Sequence, residues 1–458
     1  MSEERQSAAL LTDLYELTMA AAYFENDFRA KASFELFIRS LPPERNYLLA
    51  AGLEQVLDYL ETLRFQAEDI EFLRQQPVFR QVSDKFFEYL RTFRFTGEVW
   101  AIPEGTPVFH EEPLLRVTAP IIEGQIVETY LLSMITFQTM IASKAARVVR
   151  AAQGRSVIEF GTRRAHSPEA GTLGARAAYI GGCIGTSNVE TGRRFGIPTF
   201  GTLAHSFVMA YDDEEEAFRR FQNIFPDHAT LLVDTYDTLA AIDKIIQAEL
   251  RPKAVRLDSG DVVELSRAVR QRLDEAGLTD TQIFATSDLD EFVISDLLAR
   301  GAMVDAFGVG TSLAASKDAP TLGGVYKLVD VYVGERPSYR AKLSPGGKGT
   351  YPGCKQVYRL KGTDQKHVED VVAHCSENYA EAEPLLVCVM RDGEHLAGSP
   401  RIQQVRERAQ LELAKLPEEC HRLDQARPYP VRFSRELQRL MEDFRSRFAQ
   451  PATRRGVI

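Results

Sequence analysis

Apolar and polar positions follow two different rhythms along the chain. In the first third, residues 10–24 have the spacing of an amphipathic helix, and residues 32–38 alternate with the period of a strand. Two apolar runs within residues 99–117 are broken by prolines, which indicates short strands and turns. A long helix fits residues 125–151. The first third is therefore predicted to be a mixed α/β region.

From residue 156 onward, short apolar runs alternate with amphipathic segments, for example residues 262–276 and 289–300. A strand followed by a helix, repeated at a spacing of about 25–35 residues, predicts βαβ units on a parallel sheet. The predicted strands cover residues 156–160, 198–203, 230–233, 254–257, 282–285 and 304–308.

This run of units predicts an α/β fold. A closed or nearly closed (β/α) barrel is favoured, and an open doubly wound sheet is the alternative that the pattern leaves open. After Gly323 the pattern turns to strands and loops, followed by helices over residues 401–415 and 435–448. We expect the two chain ends to pack together as a second α/β domain. The predicted division is 1–123 with 335–458 for that domain, and 124–334 for the barrel that carries the active site.

The composition narrows the class of protein. With 458 residues the chain is long enough for two or three domains, and 44% hydrophobic with 26% charged residues is ordinary for a globular protein. No apolar stretch approaches the length needed to span a bilayer, and residues 1–6 lack the apolar core of a secretory signal. A cytoplasmic location is therefore expected.

Charge and cysteine content argue against further classes of protein. A net charge of −10 argues against non-specific binding of nucleic acid, although a locally basic site can still take an anionic substrate. The cysteines are scattered without a CxxC pair, so neither a disulfide framework nor a structural zinc cluster is indicated. They are Cys183, Cys354, Cys375, Cys388 and Cys420.

Polar residues follow five of the predicted strands. Because the carboxyl ends of parallel strands meet at one side of a barrel or sheet, these residues are expected to lie together and to form the active site. The segments are residues 159–164 (EFGTRR), 201–206 (GTLAHS), 256–261 (RLDSGD), 286–288 (TSD) and 307–312 (FGVGTS).

One of these segments has the composition of a phosphate site. In residues 308–312, small residues follow a strand and open a helix. Gly310, Thr311 and Ser312 can therefore present backbone N–H groups to an anion at a helix N-terminus. A tight turn without a ligand is the alternative.

The segment of residues 256–261 combines a cation with two carboxylates. Arg256 can bind a carboxylate or phosphate through two parallel hydrogen bonds. Asp258 and Asp261 can accept hydrogen bonds from ribose hydroxyls or hold Mg2+ through water. Alternatively, Asp261 caps the next helix and Arg256 pairs with Asp258.

His205 lies just after a predicted strand. A single histidine is usually structural or a solvated surface group. At this position its neutral imidazole can also attack a phosphoryl group and hold it as phosphohistidine.

Two further cations, Lys144 and Arg147, lie one turn apart in the predicted helix of residues 125–151. A helical pair of this kind usually forms a solvated or salt-bridged face, so neither is assigned to the site.

Taken together, these segments resemble the nicotinate phosphoribosyltransferase family. The resemblance implies an irregular barrel of about seven strands beside an α/β domain built from both chain ends. It also implies transfer of the phosphoribosyl group of phosphoribosyl pyrophosphate to nicotinate, which releases pyrophosphate and recycles the pyridine ring into NAD. The segments that carry the resemblance, in the family's order, are residues 11–15 (LTDLY), 159–171 (EFGTRRAHSPEAG), 201–206, 256–261, 307–312 and 323–328 (GGVYKL).

The resemblance implies cofactors and partners as well. ATP is a co-substrate that phosphorylates His205, and breakdown of the phosphohistidine drives the transfer. Mg2+ accompanies phosphoribosyl pyrophosphate, without direct side-chain ligation. A homodimer with active sites at the subunit interface is expected, with neither nucleic acid nor a membrane as a partner.

The implied binding residues fall into two groups. Phe160 and Tyr15 of the partner subunit are expected to stack on the two faces of the pyridine ring, Arg256 to face its carboxylate, and Ser187 to lie beside it. The residues expected around phosphoribosyl pyrophosphate are Arg163, Asp258, Ser259, Gly260, Asp288, Gly310, Thr311 and Ser312.

Two other functions remain as alternatives. Nicotinamide phosphoribosyltransferase shares the histidine and a similar 256–261 segment, but it has an aspartate where this chain has Ser187. The absence of that negative charge favours a ring that carries a carboxylate. A phosphosugar aldolase or isomerase built on a barrel would explain residues 308–312 but not residues 256–261 together with His205.

Overall fold

The computed structural model of the chain describes residues 8–343, 349–396, 398–424 and 427–449, so the polar residues 1–6 lie outside it. The helices are α1 (Leu14–Glu25), α2 (Leu53–Thr62), α3 (Ala67–Gln75), α4 (Asp84–Arg91), α5 (Ile121–Ile126), α6 (Glu128–Ala151), α7 (Pro168–Ile180), α8 (Val189–Phe195), α9 (His205–Met209), α10 (Glu214–Ile224), α11 (Thr238–Gln247), α12 (Val262–Glu275), α13 (Glu291–Ala299), α14 (Thr311–Ala314), α15 (Ile402–Ala414) and α16 (Arg435–Ala449). Short 3-10 turns cover Pro77–Phe79, Thr162–Arg164 and Glu418–His421.

The strands are β1 (Lys31–Ile38), β2 (Leu48–Leu49), β3 (Glu98–Ala101), β4 (Pro107–Val108), β5 (Pro113–Pro120), β6 (Ser156–Glu159), β7 (Gly185–Thr186), β8 (Thr230–Leu232), β9 (Ala254–Leu257), β10 (Gln282–Ala285), β11 (Ala306–Val309), β12 (Gly324–Val333), β13 (Arg336–Tyr339), β14 (Lys355–Lys361), β15 (His367–His374), β16 (Glu383–Pro384), β17 (Val387–Arg391), β18 (Glu394–His395) and β19 (Val431–Phe433).

A parallel sheet of six strands, in the order β7-β6-β11-β10-β9-β8, forms a half barrel. Every neighbouring pair in it is parallel, as the strand–helix alternation predicts. Its central strands are short and apolar because helices cover them: Val255, Ile283 and Phe307 are fully buried. Beyond β7, one parallel bridge joins Thr186 to Thr199 and takes the place of a seventh strand. The α/β class with an irregular barrel is confirmed.

The predicted strand over residues 198–203 is wrong. Pairing there is limited to two hydrogen bonds, from Thr186 to the Pro198 carbonyl and from Phe200 to the Thr186 carbonyl. Pro198 has no N–H to donate, and β7 offers only two residues to pair with, so the ladder ends at once. Residues 201–204 instead run along a cleft, where they are available for binding.

An antiparallel sheet of seven strands combines both halves of the chain, in the order β13-β12-β1-β5-β3-β17-β18. β1 lies in its interior between β12 and β5, and its residues are buried on both faces. The predicted second domain built from both chain ends is therefore confirmed as a fold. β12 begins at Gly324, within the range 124–334 that was predicted for the barrel, and the exact division into domains stays a prediction.

Several predicted helices begin or end at other residues. The helix predicted over 125–151 is two helices, α5 and α6, that meet at Val127. The helix predicted from residue 10 begins at Leu14, directly after Asp13. α13 begins at Glu291 because the Asp290 carboxylate accepts hydrogen bonds from two N–H groups of its first turn. Within the described ranges, no helix is long and apolar enough to cross a membrane.

Candidate active site

A cleft of about 560 Å³ opens where the strands of the parallel sheet end. Four of the predicted site residues line it: Phe160 after β6, Ser187 after β7, Arg256 near the end of β9, and Arg163 in the 3-10 turn that follows Phe160. The rest of the wall comes mainly from residues 199–204. These four side chains therefore lie in one cleft, as the rule about strand ends predicts, and their roles stay a prediction.

Arg256 is fixed by three hydrogen bonds. Its Nε donates to Thr286 Oγ1 at 2.8 Å, its Nη1 to Thr202 Oγ1 at 2.8 Å, and its Nη2 to Asp258 Oδ1 at 2.7 Å. The side chain is only 14% exposed. A guanidinium group has five N–H donors, so one N–H on each Nη atom remains after these contacts. Arg256 is thus a rigid cation that still has two donors for a ligand.

Asp258 belongs to the same hydrogen-bonded group. Burial alone would raise the pKa of Asp258, but the hydrogen bond from Thr286 and the charge of Arg256 outweigh that effect and lower it. The carboxylate is therefore ionised at neutral pH. The pairing of Arg256 with Asp258, one of the two alternatives for this segment, is confirmed, and it leaves the second oxygen of Asp258 available.

Asp261 has the other alternative role. Its Oδ1 accepts hydrogen bonds from the Val263 and Glu264 N–H groups at 2.9 and 3.2 Å, which caps α12. Its second oxygen lies 3.4 Å from Arg300. Both oxygens of Asp261 thus have local partners, unlike those of Asp258.

Asp234, which was missed from the sequence, supports this loop from the neighbouring strand. Its Oδ2 accepts hydrogen bonds from Ser259 Oγ at 2.5 Å and from the Asp258 N–H at 3.3 Å. Its Oδ1 is buried without a hydrogen-bond partner among the described residues. Asp234 lies two residues after β8, so the same strand-end rule, applied to β8, would have found it.

His205 is the first residue of α9, and it is half-buried at the edge of the cleft, directly after the lining residue Ala204. Its Nδ1 lies 3.1 Å from Thr235 Oγ1, in the loop that also carries Asp234. Asp234, the residue before Thr235, accepts the Asp258 N–H at 3.3 Å, so this loop supports both His205 and Asp258. Thr235, a second missed residue, fixes the orientation of the ring.

The predicted phosphate segment lies against the turn that carries Phe160. The Phe160 N–H donates to the Val309 carbonyl at 2.8 Å. A Cβ at Gly308 would lie 2.9 Å from the Phe160 ring, and a Cβ at Gly161 would lie 2.9 Å from the Gly310 carbonyl. Glycine is thus required at both positions because two strand ends meet closely here. Gly310 precedes α14, which begins with Thr311 and Ser312.

Glu159 holds two of the lining turns together. It is buried, and its carboxylate accepts hydrogen bonds from the Gly161 N–H and from Thr186 Oγ1. Its carbonyl accepts the Ser187 N–H at 2.9 Å. Burial raises the pKa of Glu159, although both hydrogen bonds oppose the shift. The position of Phe160 relative to Ser187 therefore depends on Glu159.

Tyr15 and Asp288 are not among the residues that line the cleft. Tyr15 lies on α1 and is 48% exposed, beside the exposed apolar side chains of Leu11 and Leu14. Burial and a hydrogen bond with Glu16 raise the pKa of Tyr15. Asp288 is exposed in the loop after β10.

A largely buried cluster of charges includes two residues of α6. We call it the ion cluster, and it consists of Arg45, Lys144, Arg147, Glu291 and Asp318. Lys144 Nζ lies 2.5 Å from Glu291 and 2.7 Å from Asp318. Lys144 and Arg147 do form salt bridges, but they are buried rather than solvated. The cluster joins α6 to the start of α13 and to the segment after α14, which carry the loops at Asp288 and Gly310.

Three family models match the sequence. Residues 10–136 match the nicotinate phosphoribosyltransferase N-terminal domain, and residues 375–441 match the C-terminal domain of the same family. Residues 141–319 match the quinolinate phosphoribosyl transferase C-terminal domain. The last range contains every strand of the parallel sheet.

Two bacterial proteins are similar to this chain over nearly their full length. A nicotinate phosphoribosyltransferase of Mycobacterium tuberculosis is 47% identical over 442 residues, which are 95% of this chain and 93% of that protein. The Bacillus subtilis nicotinate phosphoribosyltransferase is 39% identical over 462 residues, with 94% of each chain covered.

Two solved structures share the fold. The human nicotinic acid phosphoribosyltransferase superposes with a TM-score of 0.83 at 30% identity, covering 95% of this chain and 100% of that one. A nicotinate-nucleotide pyrophosphorylase from Pyrococcus furiosus superposes with a TM-score of 0.72 at 27% identity, covering 89% and 95%.

Proposed function

The chain belongs to the nicotinate phosphoribosyltransferase family, and we propose that the cleft beside Arg256 binds nicotinate while His205 couples the reaction to ATP. The enzyme transfers the phosphoribosyl group of phosphoribosyl pyrophosphate to nicotinate in NAD salvage. The observation that carries the proposal is the rigid Arg256 with two available N–H donors, in one cleft with Phe160.

Nicotinate fits the base-binding part of this cleft. The two remaining Nη N–H groups of Arg256 suit a carboxylate, which accepts two parallel charge-assisted hydrogen bonds. Phe160 offers one face for stacking, and it is itself supported edge-on by Phe284, with ring centroids 5.5 Å apart. Ser187 lines the cleft without adding a negative charge that would repel the carboxylate. These features favour nicotinate over nicotinamide.

The ribose and the phosphates are proposed to lie between the β9 loop and the β11 loop. As the bond from C1 to pyrophosphate breaks, positive charge develops on the ribose ring, and the nearby ionised Asp258 stabilises it or binds the hydroxyls. Arg163 is exposed at the cleft and is available to an anion. The remaining contacts proposed for phosphoribosyl pyrophosphate are Ser259, Gly260, Asp288, Gly310, Thr311 and Ser312.

The residues present fit Mg2+ held through water. Among the described residues, no group of three or more His, Cys, Asp or Glu side chains could hold a metal ion by itself. Asp234 and Asp258 are nonetheless adjacent, and the buried Oδ1 of Asp234 has no partner in the described part of the chain. These carboxylates would hold hydrated Mg2+ together with the substrate's phosphates, where the ion would neutralise charge on the departing pyrophosphate.

His205 is proposed to store a phosphoryl group. Its imidazole nitrogen attacks the terminal phosphorus of ATP, an N–P bond forms, and the P–O bond to ADP breaks. Water later cleaves the N–P bond and releases phosphate, which drives the transfer forward. Thr235 holds the ring through Nδ1, and Asp234, the residue before Thr235, accepts the Asp258 N–H; these contacts support a position for this step near the proposed ribose site. His205 does not itself form the glycosidic bond.

The second aromatic face is proposed to come from Tyr15 of the partner subunit in a homodimer. Support comes from the exposed side chains of Leu11, Leu14 and Tyr15, which are near each other in sequence where α1 begins. A monomer leaves this apolar group in water, whereas an interface would bury it.

We also propose that the enzyme works in the cytoplasm, which is where ATP and phosphoribosyl pyrophosphate are available.

A substrate assay tests the proposal. The purified chain is incubated with phosphoribosyl pyrophosphate, Mg2+ and either nicotinate or nicotinamide, with and without ATP, and the mononucleotide is measured. We expect product from nicotinate and a higher yield with ATP. No product from either base would refute the proposed function, and product from nicotinamide alone would transfer the assignment to nicotinamide phosphoribosyltransferase.

A histidine variant tests the ATP step separately. In His205→Ala we expect slow transfer that ATP no longer stimulates, together with loss of the acid-labile label that terminally labelled ATP leaves on the protein. His228→Ala, at an exposed histidine outside the cleft, is the matched control and should behave as wild type. Retained ATP stimulation in His205→Ala would contradict the phosphohistidine.

A further inference from the structure

Two cysteines face each other at the end of the β14–β15 ladder. In this antiparallel pair Lys355 lies opposite His374, so the next positions, Cys354 and Cys375, are opposite as well. The Cys375 N–H donates to the Cys354 carbonyl at 2.9 Å, which shows that the register continues through the pair. Opposed residues of this type have Cα atoms about 5.5 Å apart. Disulfides span Cα separations of about 4.4–6.8 Å.

The two thiols are reduced in the structure and interact with each other. Cys354 is buried, with its N–H held by Asp330 of β12 at 2.9 Å, whereas Cys375 is exposed. The backbone of Cys354 is thus held in place, whereas Cys375 is accessible to solvent. A reagent in the solvent that reaches only Cys375 can therefore start formation of a disulfide between the two residues.

The electrostatic surroundings of the two thiols also favour reaction at Cys375. A hydrogen bond with Cys354 lowers the pKa of Cys375 to about 7, and the charge of Arg116 adds to this effect. The protein that covers part of this exposed residue opposes the shift, as do the charges of Glu35 and Asp330. The same hydrogen bond and burial raise the pKa of Cys354. Since the thiolate is the reactive form, Cys375 is the nucleophile and Cys354 the second thiol.

The other cysteines do not share these properties. Burial raises the pKa of Cys183, and it raises that of Cys420 to about 11. Cys388 is half-buried on β17, a strand of the antiparallel sheet rather than of the β14–β15 ladder. Across the described ranges, no third ligand completes a metal site at the pair. The arrangement therefore suits thiol oxidation rather than metal binding.

We propose that Cys354 and Cys375 form a reversible dithiol–disulfide couple that exchanges with a small disulfide such as oxidised glutathione. The Cys375 thiolate attacks one sulfur of the reagent, an S–S bond forms, and one glutathione thiolate leaves. Cys354 then loses its proton, attacks the Cys375 sulfur and releases the second glutathione. The pair gives up two electrons and two protons, and one glutathione disulfide becomes two thiols. The site is separate from the proposed active-site cleft and does not rest on it.

Mass spectrometry of the full chain tests the couple. The reduced protein is equilibrated with mixtures of oxidised and reduced glutathione, alkylated at acid pH and digested. We expect intact protein lighter by two hydrogens, a peptide pair cross-linked between Cys354 and Cys375, and full recovery of both thiols with excess reductant. The oxidised form should also unfold at a higher temperature than the reduced form, because the bond links two strands that are already paired.

Single substitutions assign the two roles. Cys354→Ser should stop at a stable glutathione adduct on Cys375, whereas Cys375→Ser should leave Cys354 unmodified. Cys388→Ser, which removes a cysteine outside the pair, should form the Cys354–Cys375 bond as wild type does. A wild-type protein that remains as a glutathione adduct, that pairs Cys375 with another cysteine, or that shows no change at Cys375 would overturn the proposal.

Discussion

Glu291→Gln tests whether the ion cluster supports the substrate loops as well as the fold. Glu291 lies 2.5 Å from Lys144 and 2.9 Å from Arg147, and its side chain is fully buried. The substitution keeps the size of the side chain but removes its charge. Asp318 then remains as the one carboxylate of the cluster, paired with Arg45 and Lys144, and Arg147 loses its charged partner.

The size of the effect follows from the burial of these groups. Removing one partner from a buried ion pair costs about 3–5 kcal/mol, and we take the lower end because the amide oxygen can still accept one hydrogen bond. Unfolding entropy is about 2.1 cal/mol/K per residue, or about 1 kcal/mol/K over the 458 residues if they unfold together. The expected decrease in Tm is therefore about 3 °C.

Scanning calorimetry and steady-state kinetics measure the two consequences. α13 begins at Glu291, three residues after Asp288, so a displaced α13 moves the loop proposed to contact phosphoribosyl pyrophosphate. We expect KM for phosphoribosyl pyrophosphate to rise while KM for nicotinate changes little. The matched control is Glu190→Gln, whose partner Arg193 is 74% exposed, and it should leave both Tm and KM unchanged.

Two results would refute this reasoning. An unchanged Tm in Glu291→Gln would mean that the buried charges do not stabilise the fold. A lower Tm with unchanged KM for phosphoribosyl pyrophosphate would mean that the ion cluster supports the fold without positioning the loop.

Three further predictions concern single side chains. Arg256→Lys should lower kcat/KM for nicotinate by about tenfold to a hundredfold, because lysine cannot form two parallel hydrogen bonds with the carboxylate; an unchanged value in steady-state assays would contradict the role of Arg256. Ser187→Asp should lower kcat/KM for nicotinate by at least about tenfold through repulsion, whereas Ser187→Asn, the uncharged control, should lower it less; equal losses would show that charge is not the cause. Burial alone would raise the pKa of Asp318, but hydrogen bonds from Arg45 and Lys144 hold it below the ordinary 3.8. A lowered folded-state pKa gives stability that is present above the unfolded value and lost on acidification, so the advantage of wild type over Asp318→Asn in urea unfolding should be constant above about pH 5 and shrink below about pH 4.

Much of the parallel sheet and its site could be predicted because both depend on local patterns. β9 and β10 have the predicted bounds, since each is an apolar run between a turn and an amphipathic helix. Arg256 and Phe160 could be placed in one cleft because parallel strands end on the same side. β7 was missed because Gly185–Thr186 is too short and too polar to show a strand pattern.

Features that depend on contacts between distant segments could not be predicted in this way. Lys144 and Arg147 show only a helical spacing in the sequence, and their acidic partners Glu291 and Asp318 follow more than 140 positions later along the chain. The opposition of Cys354 and Cys375 depends on the register of a hairpin that the pattern does not fix.

The antiparallel sheet also has a consequence for how the chain is made. β1 pairs with β12, and Ser33 contacts Tyr332 across 299 positions of the chain. β3 pairs with β5 on one side, and β17 covers its other edge. While the ribosome is still producing the parallel sheet, β1 and β3 each lack a neighbour and expose backbone N–H and C=O groups. The unfinished chain must therefore carry an open edge on β1 until β12 is made at residues 324–333, and an open edge on β3 until β17 is made at residues 387–391. We expect the supply of heat-shock chaperones, rather than the packing of the finished core, to limit the yield of folded enzyme in a rapidly translating host.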